Sequence, residues 1–174
     1  MSTAANLHWY AIRVKSKREH VTADALRGKD YEVCLPMYRK LRANASGARE
    51  VESPLFAGYV FCRFDPRHRL PILTIPGVVH IVGLGKEPQP VDASEMASIF
   101  ALVQTRVRMT PYPHPPVGRR VTLRLGPLRG VEGTILAHKD EHKLVVSISL
   151  LQRSVVVDVE SRWLDRALPQ VQVA

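Results

Sequence analysis

Few side chains in this 174-residue chain fall into a pattern that could make or break a bond. His138-Lys139-Asp140-Glu141-His142 has the His-x-x-Glu-His spacing of one zinc peptidase group, which needs both histidines one turn apart on a helix. Here the segment lies between two strand-like runs and is rich in turn-forming charge, so a hairpin loop is expected and no metal site. Cys34 and Cys62 both sit in apolar, strand-like stretches and offer neither a disulfide framework nor a zinc ligand set. Two buried, reduced thiols are expected. No Gly-x-Ser-x-Gly, P-loop or dinucleotide fingerprint occurs. The expectation is a protein without catalytic residues, metal or cofactor.

Other residues invite a binding reading more than a catalytic one. Phe56, Tyr59 and Phe61 fall close together in one apolar run, and for Tyr59 and Phe61 burial in the core is the default reading of aromatics in a strand. Arg13, Lys15, Lys17 and Arg18 crowd the end of a strand and the start of a helix. Cations at a helix N-terminus oppose its dipole, which a nucleic-acid backbone would compensate; a solvated charged surface is the other reading. Arg39, Lys40, Arg42 and Arg49 flank a loop tip at Asn44–Ala48, where nucleic-acid contact and simple solvation are equally open. Lys and Arg total 25 against 16 acidic residues, a net charge of +9. The excess divides as +6 over residues 1–108 and +3 over the remainder. Both halves are therefore basic, which favours polyanionic partners.

The elements that must position these residues follow from periodicity. Tyr10, Ile12 and Val14 alternate as one strand face. Ser16-x-x-Glu19 has capping-box spacing and predicts a helix from Ser16 to about Arg27, burying Val21, Ala25 and Leu26 and stopping at Gly28. Strands are expected over 31–35 and 37–42. The densest strand signal, Leu55 to Phe64, puts Val60, Cys62 and Phe64 on one face and Tyr59, Phe61 and Arg63 on the other. Aromatics on both faces imply that both are covered, by this chain or by a partner. A short helix after Asp65-Pro66 and a strand over 77–82 come next. A helix from Asp92 to about Arg108 carries a stripe of Met96, Ile99, Phe100, Val103 and Val107.

Pro111-Tyr112-Pro113-His114-Pro115-Pro116 excludes helix and central strand and predicts a stiff extended spacer. The division expected is therefore 1–108, a spacer over 109–116, and 117–174. Beyond the spacer, Val121/Leu123/Leu125, Leu144/Val146/Ile148/Leu150 and Val155/Val157/Val159 alternate as short strands of a small barrel. Composition adds no bilayer-spanning run and no secretory leader. The fold class expected is α+β, an α/β sandwich with a mostly antiparallel sheet followed by a β-barrel, in a monomeric cytoplasmic protein.

The ordered set of motifs resembles the NusG family. Trp9-Tyr10-Ala11-Ile12-Arg13 is similar to the opening of its N-terminal domain. Pro54 through Phe61 is similar to its central strand, Pro76-Gly77-Val78 to the following turn, and Gly118 through Gly133 to a KOW motif, with Gly118, Gly126, Pro127, Gly130 and Gly133 at its turns. Cys34-Leu35-Pro36-Met37, Ser53-Pro54-Leu55-Phe56 and Phe64-Asp65-Pro66 look more like the specialised RfaH and UpxY antiterminators than like the housekeeping factor. Where RfaH-type proteins carry a His-Thr-Thr-Thr stretch, this chain has Leu70-Pro71-Ile72-Leu73.

The resemblance implies a transcription elongation and antitermination regulator. Its N-terminal domain would grip the clamp helices of the largest RNA polymerase subunit through an aromatic pocket matching Phe56, Tyr59 and Phe61. The cations Arg13, Lys15, Lys17 and Arg18, with Arg39, Lys40 and Arg42, would contact non-template DNA. The KOW domain would recruit a small-subunit ribosomal protein or the termination factor Rho. The alternative is a KOW-type RNA-binding protein on the ribosome side. RfaH-like proteins can refold the KOW domain as a helical hairpin over the pocket, but Val155-Val156-Val157-Asp158-Val159 is a poor helix former. A resting β-barrel and an open pocket are expected.

Overall fold

The computed structural model describes residues 7–105, 107–114, 116–138 and 141–164. Its first half centres on a four-stranded antiparallel sheet of β1 (His8–Val14), β2 (Glu32–Cys34), β5 (Tyr59–Phe64) and β6 (Val78–Ile81), in the order β2-β5-β1-β6. Period-two alternation divides its side chains. Tyr10, Ile12, Val60, Cys62 and Phe64 face α1 (Glu19–Arg27) and α2 (Leu70–Leu73), in a cluster with Ala23, Leu26, Ile72 and Ile75. On the other face Ala11, Cys34 and Phe61 stand in cross-strand register. They share a cluster with Met96, Ile99 and Leu102 of α3 (Ala93–Gln104). The strand reading of two covered faces is what the sheet shows.

Between β2 and β5, the strands β3 (Met37–Asn44) and β4 (Gly47–Pro54) form a separate two-stranded hairpin. The expected loop tip is thus only the turn at Ala45-Ser46 between two eight-residue strands. Two short strands, β7 (Gly83–Leu84) and β8 (Glu87–Pro88), lead into α3. Asp92 caps that helix as expected, accepting the N–H groups of Ser94 and Glu95. The helix ends at Gln104 rather than near Arg108.

The second half is a five-stranded antiparallel sheet of the small-barrel type, ordered β10-β11-β12-β13-β9. Its strands are β9 (Met109–Tyr112), β10 (Arg119–Thr122), β11 (Glu132–His138), β12 (Glu141–Ile148) and β13 (Arg153–Val159), followed by α4 (Ser161–Leu164). Leu123, Leu128, Leu144, Val146, Ile148 and Val155 are fully buried at its centre. The fold class read from the sequence, α+β with a mostly antiparallel sandwich followed by a β-barrel, is the fold observed, and the valine-rich segment is strand rather than helix.

Four local expectations need correction. The helix does not begin at Ser16: residues 15–18 make a tight turn, with Lys17 at φ +63° and the Arg18 N–H bonded to the Lys15 carbonyl at 3.0 Å. No side chain caps α1, and its buried positions are Glu19, Thr22, Ala23 and Leu26, while Val21 is exposed. The inward face is the one on which Glu19 reaches the Gly58 N–H, together with Thr22, Ala23 and Leu26. The spacer is not free either: Met109–Tyr112 pairs with β13, with Pro111 opposite Val155. Proline is tolerated there because β9 lies at the sheet edge, where one side needs no ladder donor. Part of that spacer, Pro115, lies outside the described residues. Finally, α3 carries a second buried stripe. Ser98 and Leu102 are buried although they lie off the predicted one, whereas Val103 is exposed.

That second stripe faces the barrel. Ser98 Oγ accepts the Glu132 N–H at 3.5 Å, and the Glu95 carboxylate accepts the Ser149 N–H at 3.1 Å. On the other side of the helix, Phe100 meets Trp9 of the sheet edge-to-face with centroids 5.1 Å apart. The layers therefore run α1/α2, sheet, α3, barrel. Among the described residues, no helix is long and apolar enough to cross a membrane.

Candidate functional site

Gly58 is the centre of the site. It sits at φ +82°, which a glycine adopts without the steric cost of a Cβ, and turns the chain from the hairpin into β5. The turn is closed by the Tyr59 N–H donating to the Phe56 carbonyl at 3.0 Å. The Gly58 carbonyl accepts the Val14 N–H at 2.9 Å and its N–H donates to Glu19 Oε1 at 2.8 Å. Glu19 is 5% exposed. It faces this turn instead of folding back to cap Ser16. A buried carboxylate is tolerated where it accepts such bonds. The Ser-x-x-Glu spacing pointed to a local role for a residue whose partner lies 39 positions away.

Arg13 stands opposite Tyr59 in the β1–β5 register. Its guanidinium lies 4.9 Å from the Tyr59 ring centroid and donates to the Gly58 carbonyl at 3.5 Å. A cation over an aromatic face in this range is attracted by the ring quadrupole. Arg13 is thereby directed to the tyrosine, whereas Lys15, Lys17 and Arg18 are exposed in the following turn.

The three predicted aromatics do cluster, but not as an open recess. Phe56 and Phe61 meet edge-to-face at 5.5 Å and are 3% and 0% exposed. Both belong to the apolar cluster that includes α3, and Tyr59 alone of the three is half-buried. The expected open pocket is therefore absent in this conformation, although the barrel expected to leave it open does form. Strand periodicity identified the shared face of Tyr59 and Phe61 but carried no information about what lies over it.

The hairpin separates its cations. Arg39 lies 3.8 Å from Glu50 and 3.9 Å from Glu52, so its charge is partly met within the hairpin. Lys40, Arg42 and Arg49 point to the opposite face by alternation.

In the barrel, Gly126 and Gly130 have φ of +81° and +89°, and bracket a turn in which the Gly130 N–H bonds the Leu123 carbonyl at 2.8 Å. Pro127 lies inside that turn, ahead of fully buried Leu128. Gly118 and Gly133 allow close backbone approach: a Cβ would stand 2.4 Å from the Ile135 carbonyl oxygen and 2.5 Å from that of Val145 respectively. These residues shape turns and strand contacts. In the His138–His142 segment, His138 of β11 pairs with Glu141 of β12 in the ladder, and residues 139–140 lie outside the described residues. The segment does not form the helix that the zinc spacing requires.

Both cysteines are buried thiols on opposite faces of the sheet, Cys34 in register with Phe61 and Cys62 in register with Val33. Desolvation pushes Cys34 up to about 11 and Cys62 up to about 12.

With this geometry in view, the relatives are informative. Residues 7–100 match the family described as transcription termination factor nusG. The chain is 24% identical over 166 residues to the transcription termination/antitermination protein NusG of Helicobacter pylori, covering 88% of this chain and 94% of that one. It is also 24% identical over 177 residues to the Thermus thermophilus protein of the same name, covering 89% and 96%. Its fold is similar to a solved structure titled as domain interaction in Thermotoga maritima NusG, at TM-score 0.52 and 20% identity, over 91% of this chain and 96% of that one. An α+β transcription factor is the class these features define. The chain belongs to the NusG family of transcription termination and antitermination factors.

Proposed function

We propose that the chain is a non-enzymatic cytoplasmic regulator that binds the clamp helices of RNA polymerase through the face carrying Tyr59 and suppresses pausing or termination. No covalent chemistry is involved. Binding one polymerase conformation better than another shifts its population, and the differential affinity sets the size of the effect. The observation that carries this reading is the state of Tyr59, half-buried, with Arg13 against its ring, at the border of an aromatic cluster. Rigid aromatics and arginine are the usual anchors of interface energy. Phe56 and Phe61, buried in the cluster that includes α3, support that anchor from beneath.

On the same reading, Lys15, Lys17 and Arg18 contribute salt-dependent contacts to non-template DNA. The barrel recruits a second protein, a small-subunit ribosomal protein or Rho. Specialisation of the RfaH or UpxY kind belongs to the same proposal and rests on the motif resemblance alone.

The test is binding of the purified chain to bacterial RNA polymerase core. Tyr59→Ala is the informative variant, because Phe61→Ala would empty a fully buried site at a cost of about 3–5 kcal/mol and confound binding with folding. Retained folding with weakened binding supports the anchor. Wild-type protein that binds structured RNA and not polymerase would favour the ribosome-side alternative.

A further inference from the structure

The sheet face that carries Phe61 is covered along one cross-strand row and left half-covered along the next. In the first row Ala11 stands opposite Phe61, and both are 0% exposed. In the next row along β1, Arg13 stands opposite Tyr59 on one side and His80 on the other. Arg13 and Tyr59 are half-buried and His80 is exposed. This row holds a guanidinium, a phenol and an imidazole, and no carboxylate.

The guanidinium has a prepared seat. Gly58 is buried, and a Cβ there would stand 2.2 Å from Arg13 Nη1, so only bare backbone lets the group lie where it does. Its two contacts, the Gly58 carbonyl at 3.5 Å and the Tyr59 ring centroid at 4.9 Å, fix its place. They do not meet its charge. Among the described residues Arg13 forms no ion pair, and its remaining N–H donors reach no acceptor. A partly desolvated cation is costly unless paired and hydrogen-bonded. One long hydrogen bond and a ring contact are weak compensation.

The missing group follows from the geometry. A guanidinium takes a carboxylate or a phosphate through two parallel bonds. Here it lies against the Tyr59 ring, at the border of the apolar cluster of Phe56, Phe61 and α3. A ligand that reaches it also covers that ring. A protein surface with one acidic side chain among apolar neighbours matches both. A phosphate backbone, charged along its whole length, is met instead by fully exposed cations such as Lys15, Lys17 and Arg18. We propose that Arg13 and Tyr59 form one seat for a carboxylate on the polymerase helix that docks on this face, so that Arg13 selects the partner by charge. The inference rests on the polymerase reading above, and it moves Arg13 from the nucleic-acid contact to the protein contact.

The experiment measures the affinity of the full chain for RNA polymerase core, for wild type, Tyr59→Ala, Arg13→Met and Arg13→Lys. Lys29→Gln, which removes one exposed charge elsewhere, is the control. Arg13→Met retains the apolar stem over the ring and removes the charge. Its melting temperature should stay near wild type while its affinity falls about tenfold or more. Arg13→Lys retains the charge without the planar fork and should recover part of the loss. Lys29→Gln should bind as wild type does. A carbodiimide joins an amine and a carboxylate in contact as an amide, the reagent taking up the water. It should link position 13 of the Arg13→Lys variant to an Asp or Glu of polymerase, read by mass spectrometry of the linked peptides. If Arg13→Met binds polymerase as tightly as wild type, or position 13 links to no acidic residue, the inference fails. A weakened Tyr59→Ala would then leave the polymerase reading standing. Wild type that binds no polymerase overturns both. If Arg13→Met instead loses affinity for a labelled DNA strand, measured without polymerase, and retains it for polymerase, a phosphate is the partner and the carboxylate is overturned.

Discussion

Glu19 and Gly58 are joined by a hydrogen bond of 2.8 Å between elements 39 residues apart, and this bond holds the turn from which Tyr59 projects. The carboxylate is buried and the donor is a backbone N–H with no other partner in the ladder. Glu19→Ala would leave that N–H unsatisfied, at a cost of about 1–3 kcal/mol in chemical denaturation. Glu19→Gln retains an acceptor oxygen and should lose less than half as much. Equal losses for the two variants would mean that the charge, and not the hydrogen bond, is what matters.

The link between the halves makes a separate prediction. Glu95 is exposed enough to be replaced without a cavity, yet its carboxylate holds the Ser149 N–H and hydroxyl. Glu95→Ala should leave both halves folded and loosen their contact. Amide chemical-shift changes in a nitrogen–proton correlation spectrum should concentrate in α3 and around Ser149, and relaxation should report faster independent tumbling of the barrel. Changes spread evenly through the sheet would contradict the two-sided role of α3.

Asp65 is held at about 2, well below the usual carboxylate range, because the Arg67 side chain and backbone N–H both bond to it. A depressed carboxylate stabilises the folded state above its ordinary value near 3.8 and loses that contribution as pH falls toward 2. Wild type should therefore lose stability relative to Asp65→Asn between pH 4 and about 2. Parallel acid denaturation curves for the two proteins would count against this assignment.

The thiols make the opposite prediction at high pH. Both are raised from an ordinary 9.0, so the folded state retains their protons where the unfolded state releases them. Their contribution is complete below pH 9 and is lost as pH rises through about 11 and 12. At pH 8 a thiol reagent should label Cys34 and Cys62 only at the rate of unfolding, and rapidly once denaturant is added. Prompt labelling of the native protein would show that the sheet faces are more open than described.

The fold was largely legible in the chain because its signals are strong and local. Alternation at Tyr10, Ile12 and Val14 and the Asp92 cap each specify one element from adjacent residues. The bond from Glu19 to Gly58 was not legible, since a Ser-x-x-Glu spacing looks the same whether the glutamate caps its own helix or crosses to another strand. The second face of α3 was missed for a related reason. Its signal was a serine and an extra leucine, Ser98 and Leu102, and a stripe fitted to one packing partner has no place for a second. The edge strand at Met109–Tyr112 was hidden by Pro111, which forbids a central position and permits an edge. At the site, Tyr59 and Phe61 were correctly put on one face, but burial of Phe61 depends on α3, whose docking geometry no local pattern encodes.

The most direct test of the central claim is the affinity of the intact chain for RNA polymerase core, measured for wild type and Tyr59→Ala under the same salt. Wild type should bind, and the variant, still folded by its melting curve, should bind at least about tenfold more weakly, the loss of about 1.4 kcal/mol or more typical of an aromatic anchor. A wild-type protein that does not bind polymerase, or a Tyr59→Ala variant that binds as tightly, would contradict the account.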